Sequence, residues 1–159
     1  MKLTLGLAQI TPKLGSIAAN VQTHLNYIEQ AAAQGVQLLV FPELSLTGYN
    51  LQDLVYELAL HATPDDSVFK QLLAASQEHD IDLSIGFVEE DDRNRFFISQ
   101  AYLGQGEIVH VHRKVYLPTY TLFDEGRYFA WGDSIRAFDT RFGRFGMLIC
   151  EDFWHASPP

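Results

Sequence analysis

A single cysteine in 159 residues leaves no partner for an internal disulfide. A disulfide-stapled scaffold is excluded, and a reducing, cytoplasmic compartment is the expectation. Cations are scarce as well: 11 Lys and Arg stand against 20 Asp and Glu, a formal charge of −9. Nucleic acid and anionic membrane surfaces both demand clustered Lys and Arg, so neither is expected as a partner. Met1-Lys2-Leu3-Thr4-Leu5 runs straight into a strand pattern, without the apolar stretch of a signal peptide or a membrane span. Glycines never gather in a phosphate-cradling form, which leaves a nucleotide loop without support. Internal repeats, low-complexity tracts and linkers are missing too.

What is present is apolar. Residues of that kind make up 47% of the chain, enough for a sizeable core, and at this length one domain is expected. Leu3–Ile10 reads as a first strand, ended by Thr11-Pro12. Val21, Leu25, Ile28 and Ala32 recur at helical spacing between Ile17 and Gln34, with Gly35 at the stop position. Val36–Phe41 is a short apolar strand of the kind buried on both faces. Strand, helix, strand in this order predicts a parallel pair. A weaker helix follows at Asp53–His61, and Asp65-Asp66-Ser67 caps another running to His79. Ile81–Val88, Arg95–Leu103 and Glu107–Lys114 form a meander, a long aromatic loop spans Val115–Asp133, and final strands are expected at Ser134–Asp139 and Arg144–Cys150. The pattern predicts a mixed α/β sheet with parallel crossovers and antiparallel hairpins.

Sites in such sheets gather at the carboxyl ends of strands. Three polar residues sit at such ends: Glu43 in Phe41-Pro-Glu-Leu44, Lys114 after Ile108–Arg113, and Cys150 after Arg144–Ile149. A thiol, a carboxylate base and a cation are the parts of a cysteine hydrolase that opens amides or nitriles. Glu43 could move the proton, while Lys114 and the N–H groups after Cys150 hold an oxyanion. Glu151 and Asp152, if close to the sulfur, would raise its pKa by like-charge repulsion. Each residue also has a plainer reading: Cys150 as a small buried hydrophobe, Glu43 as a surface carboxylate, Lys114 as a solvated strand end. His110 and His112 share a strand face, but no carboxylate or thiol pattern accompanies them and no metal site is read there. Cys150 and His155 stand five apart, a spacing that says nothing about a dyad.

The wording around these residues is more specific. Phe41-Pro-Glu-Leu-Ser-Leu-Thr-Gly-Tyr49, His112-Arg-Lys-Val-Tyr-Leu-Pro118, Phe123-Asp-Glu-Gly-Arg-Tyr-Phe129 and Cys150-Glu-Asp-Phe-Trp154 occur in the order of the nitrilase (carbon–nitrogen hydrolase) superfamily, which the chain resembles along its length. That resemblance implies an α-β-β-α sandwich and a Glu-Lys-Cys triad, here Glu43, Lys114 and Cys150. No cofactor and no metal are expected. It also implies that Glu125 supports the lysine, and that Tyr120, Glu151 and Phe153 contact the substrate. The stretch 117–129 with Cys150–Trp154 is closest to the glutaminase domain of glutamine-dependent NAD synthetases. The family domain continues well past its nucleophile, so residues 1–159 are expected to be the N-terminal part of one carbon–nitrogen hydrolase domain. The substrate implied is a small-molecule amide, glutamine among them, and the full-length form is expected to be a homo-oligomer. Three functions stay open: hydrolysis of an amide through a cysteine thioester, ammonia supply to a synthetase domain, and a non-catalytic binding or assembly role.

Overall fold

The computed structural model describes residues 2–155. Its first strand, β1 (Leu5–Leu7), is shorter than the apolar pattern of Leu3–Ile10, although Ala8 still donates to the Val40 carbonyl. Helix α1 (Ile17–Ala33) follows the predicted periodicity, burying Val21, Ile28 and Ala31. Gly35 ends it at φ +73°, a conformation that costs glycine nothing. Strand β2 (Leu38–Val40) lies parallel to β1, in the register Leu5 to Leu38. The weak helix shrinks to a 3₁₀ turn, Gln52–Leu54, and one turn of α2 (Val55–Leu58). Asp66 caps α3 (Ser67–Glu78) by accepting from the Val68 and Phe69 amides at 2.8 and 3.2 Å.

The meander is β3 (Asp82–Glu90), β4 (Phe96–Gly104) and β5 (Glu107–Arg113). Strand β3 pairs parallel with β2 and antiparallel with β4, giving one mixed sheet in the order β1-β2-β3-β4-β5. Period-two alternation sorts its residues. Leu83, Ile85 and Phe87 of β3, with Ala101 and Leu103 of β4, join the apolar residues of α1 and α3 in the main core. The opposite face carries polar groups. There Gln100 donates to Ser84 Oγ and the Phe41 carbonyl, and Tyr102 donates to Asp82.

The late strands differ from expectation. Only β6 (Phe138–Thr140) and β7 (Gly143–Phe145) form, as a separate hairpin. It packs Phe138 and Phe145 on Tyr102, and Arg141 pairs with Asp82 at 3.0 Å. Gly146–Ile149 joins no ladder among the described residues. Cys150 therefore ends no strand: it opens a 3₁₀ helix, Cys150–Trp154. An apolar run meets the compositional requirement of a strand, but without a partner ladder it is not one. The long loop contributes one further helical turn, α4 (Glu125–Tyr128).

Candidate active site

Strand alternation builds the cationic centre of the site. Arg113 and Lys114 are adjacent and so point to opposite faces. Arg113 reaches outward to a two-pronged pair with Glu89, at 2.6 and 2.9 Å. Lys114, whose amide continues the ladder to the Ile98 carbonyl, turns inward and is fully buried. A buried ammonium needs anionic partners, and two are supplied. Its Nζ donates to Glu43 Oε1 at 2.7 Å and to Glu125 Oε1 at 2.8 Å. Burial opposes the Lys114 charge, but the two carboxylates outweigh it and hold its pKa above the ordinary lysine value. Burial dominates at Glu125 itself, lifting its pKa despite the bonds from Lys114 and Tyr49. The two partners thus shift the same way, and both shifts keep protons in the site. Lys114 remains the cation.

Each carboxylate arrives from its own loop. Glu43 follows β2 in a segment folded across β3, where Leu46 donates to the Gly86 carbonyl and Ser45 Oγ bonds both the Gly86 carbonyl and amide. Leu44 takes φ +50°, an uncommon state for a branched side chain, and is completely buried. Glu125 opens α4, where its amide donates to the Pro118 carbonyl at 3.2 Å. Its Oε1 also accepts from the Tyr49 hydroxyl, while Oε2 has no hydrogen-bond partner.

Cys150 and Glu43 line one pocket of about 370 Å³, together with Val40, Ser84, Gln100 and Tyr102 from the polar face of the sheet. The thiol is exposed at the start of its 3₁₀ turn and takes φ +46°. Partial burial raises its pKa first, the Glu43 charge adds to that, and Lys114 pulls the other way. The balance favours the neutral thiol, and a thiol in that state acts as a nucleophile only with a base at hand.

Glu43, Lys114, Glu125 and Cys150 are thus brought together. The carboxylates following Cys150 do not act on it as expected. Asp152 is turned inward, and the charges that raise the thiol pKa are those of Glu43 and Glu125. Glu151 instead accepts from Tyr120 at 3.1 Å, and His155 lies 3.3 Å from the same carboxylate while stacking on Tyr116. Tyr120 and Phe153 are exposed. Of the two strand histidines, His110 stacks on Phe138 and His112 bonds Asp152. No group of three metal-binding side chains occurs among the described residues, and no helix among them is long and apolar enough to cross a membrane.

Sequence reasoning gave Tyr49 no role, and it weighed His112 only as a metal ligand and Asp152 only as a charge near the sulfur, not for the bond they share. Tyr49 closes the segment that carries Glu43, but nothing local in the sequence says that its hydroxyl meets a carboxylate 76 residues away.

The description of the carbon-nitrogen hydrolase family matches residues 4–157. The chain belongs to that family. Among its curated relatives, the glutamine-dependent NAD(+) synthetase of Acinetobacter baylyi is 35% identical over 150 residues, covering 94% of this chain and 27% of the synthetase. The enzyme of that name from Thermotoga maritima is 32% identical, again over 27% of its length. The chain thus spans about a quarter of these relatives. The structure of glutamine-dependent NAD+ synthetase from Acinetobacter baumannii superimposes with a TM-score of 0.79 at 35% identity, covering 94% of this chain and 28% of that one. Saccharomyces cerevisiae Nit3, a nitrilase superfamily member, shares the fold at a TM-score of 0.84 and 23% identity, over 96% of this chain and 57% of its own.

Proposed function

We propose that this chain carries the thiol chemistry of an amide hydrolase, with Cys150 as nucleophile, Glu43 as proton carrier and Lys114 as oxyanion donor. The observation that carries this reading is the fully buried Lys114 ammonium, held between Glu43 and Glu125 beside the pocket that Glu43 shares with Cys150. A structural lysine has no reason to be buried next to an exposed thiol, whereas an acyl-transfer site needs a fixed cation there.

The steps balance. Sulfur attacks the amide carbon as Glu43 takes the thiol proton, and the carbonyl oxygen becomes an oxyanion facing Lys114 and the N–H groups after Cys150. Glu43 returns the proton to nitrogen, the C–N bond breaks, and ammonia leaves a thioester on Cys150. Water, deprotonated by Glu43, then releases the carboxylic acid and restores the thiol. Glu125 and Tyr49 hold Lys114 in place.

The two synthetase relatives favour the side-chain amide of glutamine as substrate, with Tyr120, Glu151 and Phe153 at its binding end. In that case the ammonia would pass to a synthetase reaction. Intact-mass measurement with glutamine and other primary amides tests the reading. A substrate-dependent thioester adduct on the wild type, absent from Cys150→Ala, is expected. Ammonia release undiminished in Cys150→Ala would overturn it.

A further inference from the structure

Asp152 is the most heavily bonded side chain near the site. Its Oδ2 accepts from His112 Nε2 at 2.8 Å and from the Ile149 amide at 3.0 Å. Its Oδ1 accepts from the Val115 amide at 2.9 Å and the Tyr116 amide at 3.0 Å. Both Asp152 and His112 are almost wholly buried. A buried carboxylate is tolerated when donors fill its lone pairs, and here four do.

The origin of the donors matters more than their number. His112, Val115 and Tyr116 flank Lys114, two residues before it and one and two after it. Ile149 immediately precedes Cys150, and Asp152 lies within the same 3₁₀ turn. One carboxylate therefore clasps the backbone on both sides of the cation to the backbone beside the thiol. Cys150 stays at φ +46° only because its surroundings dictate it, and the Ile149 bond to Asp152 is one such constraint.

We propose that Asp152, completed by His112, is a positioning residue that fixes the distance and angle between the Cys150 sulfur and the Lys114 ammonium. The inference rests on the reading of these two groups as reaction partners, and it adds a pair that touches neither substrate nor reacting atoms. Asp152→Asn keeps an oxygen for the Val115 and Tyr116 amides, but it places an NH₂ group where two donors had been accepted. The 3₁₀ turn would then drift from the end of β5.

Two readouts on the protein test this. The first is the kcat and KM of ammonia release from glutamine; the second is the pH profile of Cys150 alkylation by iodoacetamide, which requires no turnover. For Asp152→Asn, kcat should fall about 10²-fold, the loss typical of a displacement near 1 Å, with KM little changed. Its alkylation midpoint should move to higher pH, as the lysine that stabilises the thiolate withdraws. His112→Ala should shift both readouts in the same directions, and His112→Gln, whose side-chain N–H can replace the imidazole donor, should recover most of the loss. An alkylation profile for Asp152→Asn or His112→Ala that coincides with wild type, even with lowered thermal stability, would reduce the pair to a structural role and overturn the proposal. If Asp152→Asn does not fold, the contrast between the two His112 variants decides alone. A wild type that releases no ammonia, yet shows the alkylation shift in the variants, would defeat the proposed reaction and leave the positioning role standing.

Discussion

Gly86 has no room for a side-chain carbon because the backbone of Leu44 lies against it. A Cβ at position 86 would come within 2.4 Å of the Leu44 nitrogen and 2.5 Å of the Pro42 carbonyl oxygen. Those two residues bracket Glu43, so the carboxylate of the site is seated directly on a glycine of the sheet. Neither the strand nor the crossing segment can yield without breaking the bonds from Leu46 and Ser45 to Gly86.

Gly86→Ala should accordingly lift the 42–46 segment. We expect a stability loss of about 1–3 kcal/mol, the usual range for overpacking a tight core. Ammonia release should suffer more than stability, since Glu43 would leave Lys114. Chemical denaturation and steady-state rates check this, and a variant with wild-type kcat would refute it.

Lys114→Met should be the most damaging single change in the site. It leaves Glu43 and Glu125 facing each other without the cation, and an orphaned buried charge typically costs about 3–5 kcal/mol. Glu125 already resists ionising because it is buried, so its protonation should absorb part of that cost. Adding Glu125→Gln should therefore restore much of the stability without restoring activity. Urea titrations of the single and double variants decide the matter: strictly additive losses would mean that the ion cluster is not coupled.

The thiol should titrate above an ordinary cysteine. Partial burial and Glu43 raise its pKa and Lys114 lowers it, so the signs for the variants are opposite. Glu43→Gln should shift alkylation to lower pH, and Lys114→Met should shift it to higher pH. The same Glu43→Gln variant should lose about 10²–10⁴-fold in turnover, the span of general-base contributions. A variant more readily alkylated yet catalytically poor would separate thiol ionisation from proton transfer. Identical alkylation profiles in all three proteins would place Cys150 outside the reach of both charges.

His24 should remain neutral far below the range where histidines usually charge. Burial lowers its pKa to about 4, only partly offset by its bond to the Asn20 carbonyl. It stacks on Phe41 and bonds Ser45, on the segment that carries Glu43. Above pH 6.5 neither folded nor unfolded chain protonates it. Between pH 6.5 and about 4 the unfolded chain takes up a proton that the folded one refuses, so this contribution to stability falls as pH falls. By the bottom of that window the loss is about 3 kcal/mol. Imidazole resonances followed by NMR should show His24 still uncharged at pH 5; a midpoint near 6.5 would contradict the assignment.

Local patterns made much of this fold legible. The spacing of Val21, Leu25 and Ile28, the Gly35 stop and the Asp66 cap each encode their element within a few residues, and α1 and α3 lie within a residue or two of expectation. Glu43, Lys114 and Cys150 were legible as candidates from family wording and from their places after apolar runs, and the fold brings them together. The clasp at Asp152 was not, because it joins segments 36 to 40 residues apart and its donors are mostly main-chain amides. The strand expected at Arg144–Cys150 stops at Phe145 for a related reason: hydrophobicity records a wish for burial, and pairing depends on a strand alongside.

The order of the sheet also bears on how the chain reaches this state. Strands β3, β4 and β5 are consecutive in sequence and closed by short turns, at low cost in chain entropy. The parallel pairs through β2 must bridge α1 on one side and two helical segments on the other. Nucleation should begin in the meander, with β1 and β2 recruited afterwards. The ion cluster would then be assembled in stages: Lys114 stands ready at the rim of the first-formed unit, while Glu43 arrives only when β2 docks. Pulsed hydrogen exchange should protect the amides of β4, whose two neighbours both lie in the meander, before that of Val40, and the reverse order would refute this sequence of events. A partly folded form would hold Lys114 before Glu43 reaches it, so the thiol chemistry proposed above would wait on a segment made earlier in synthesis yet settled later.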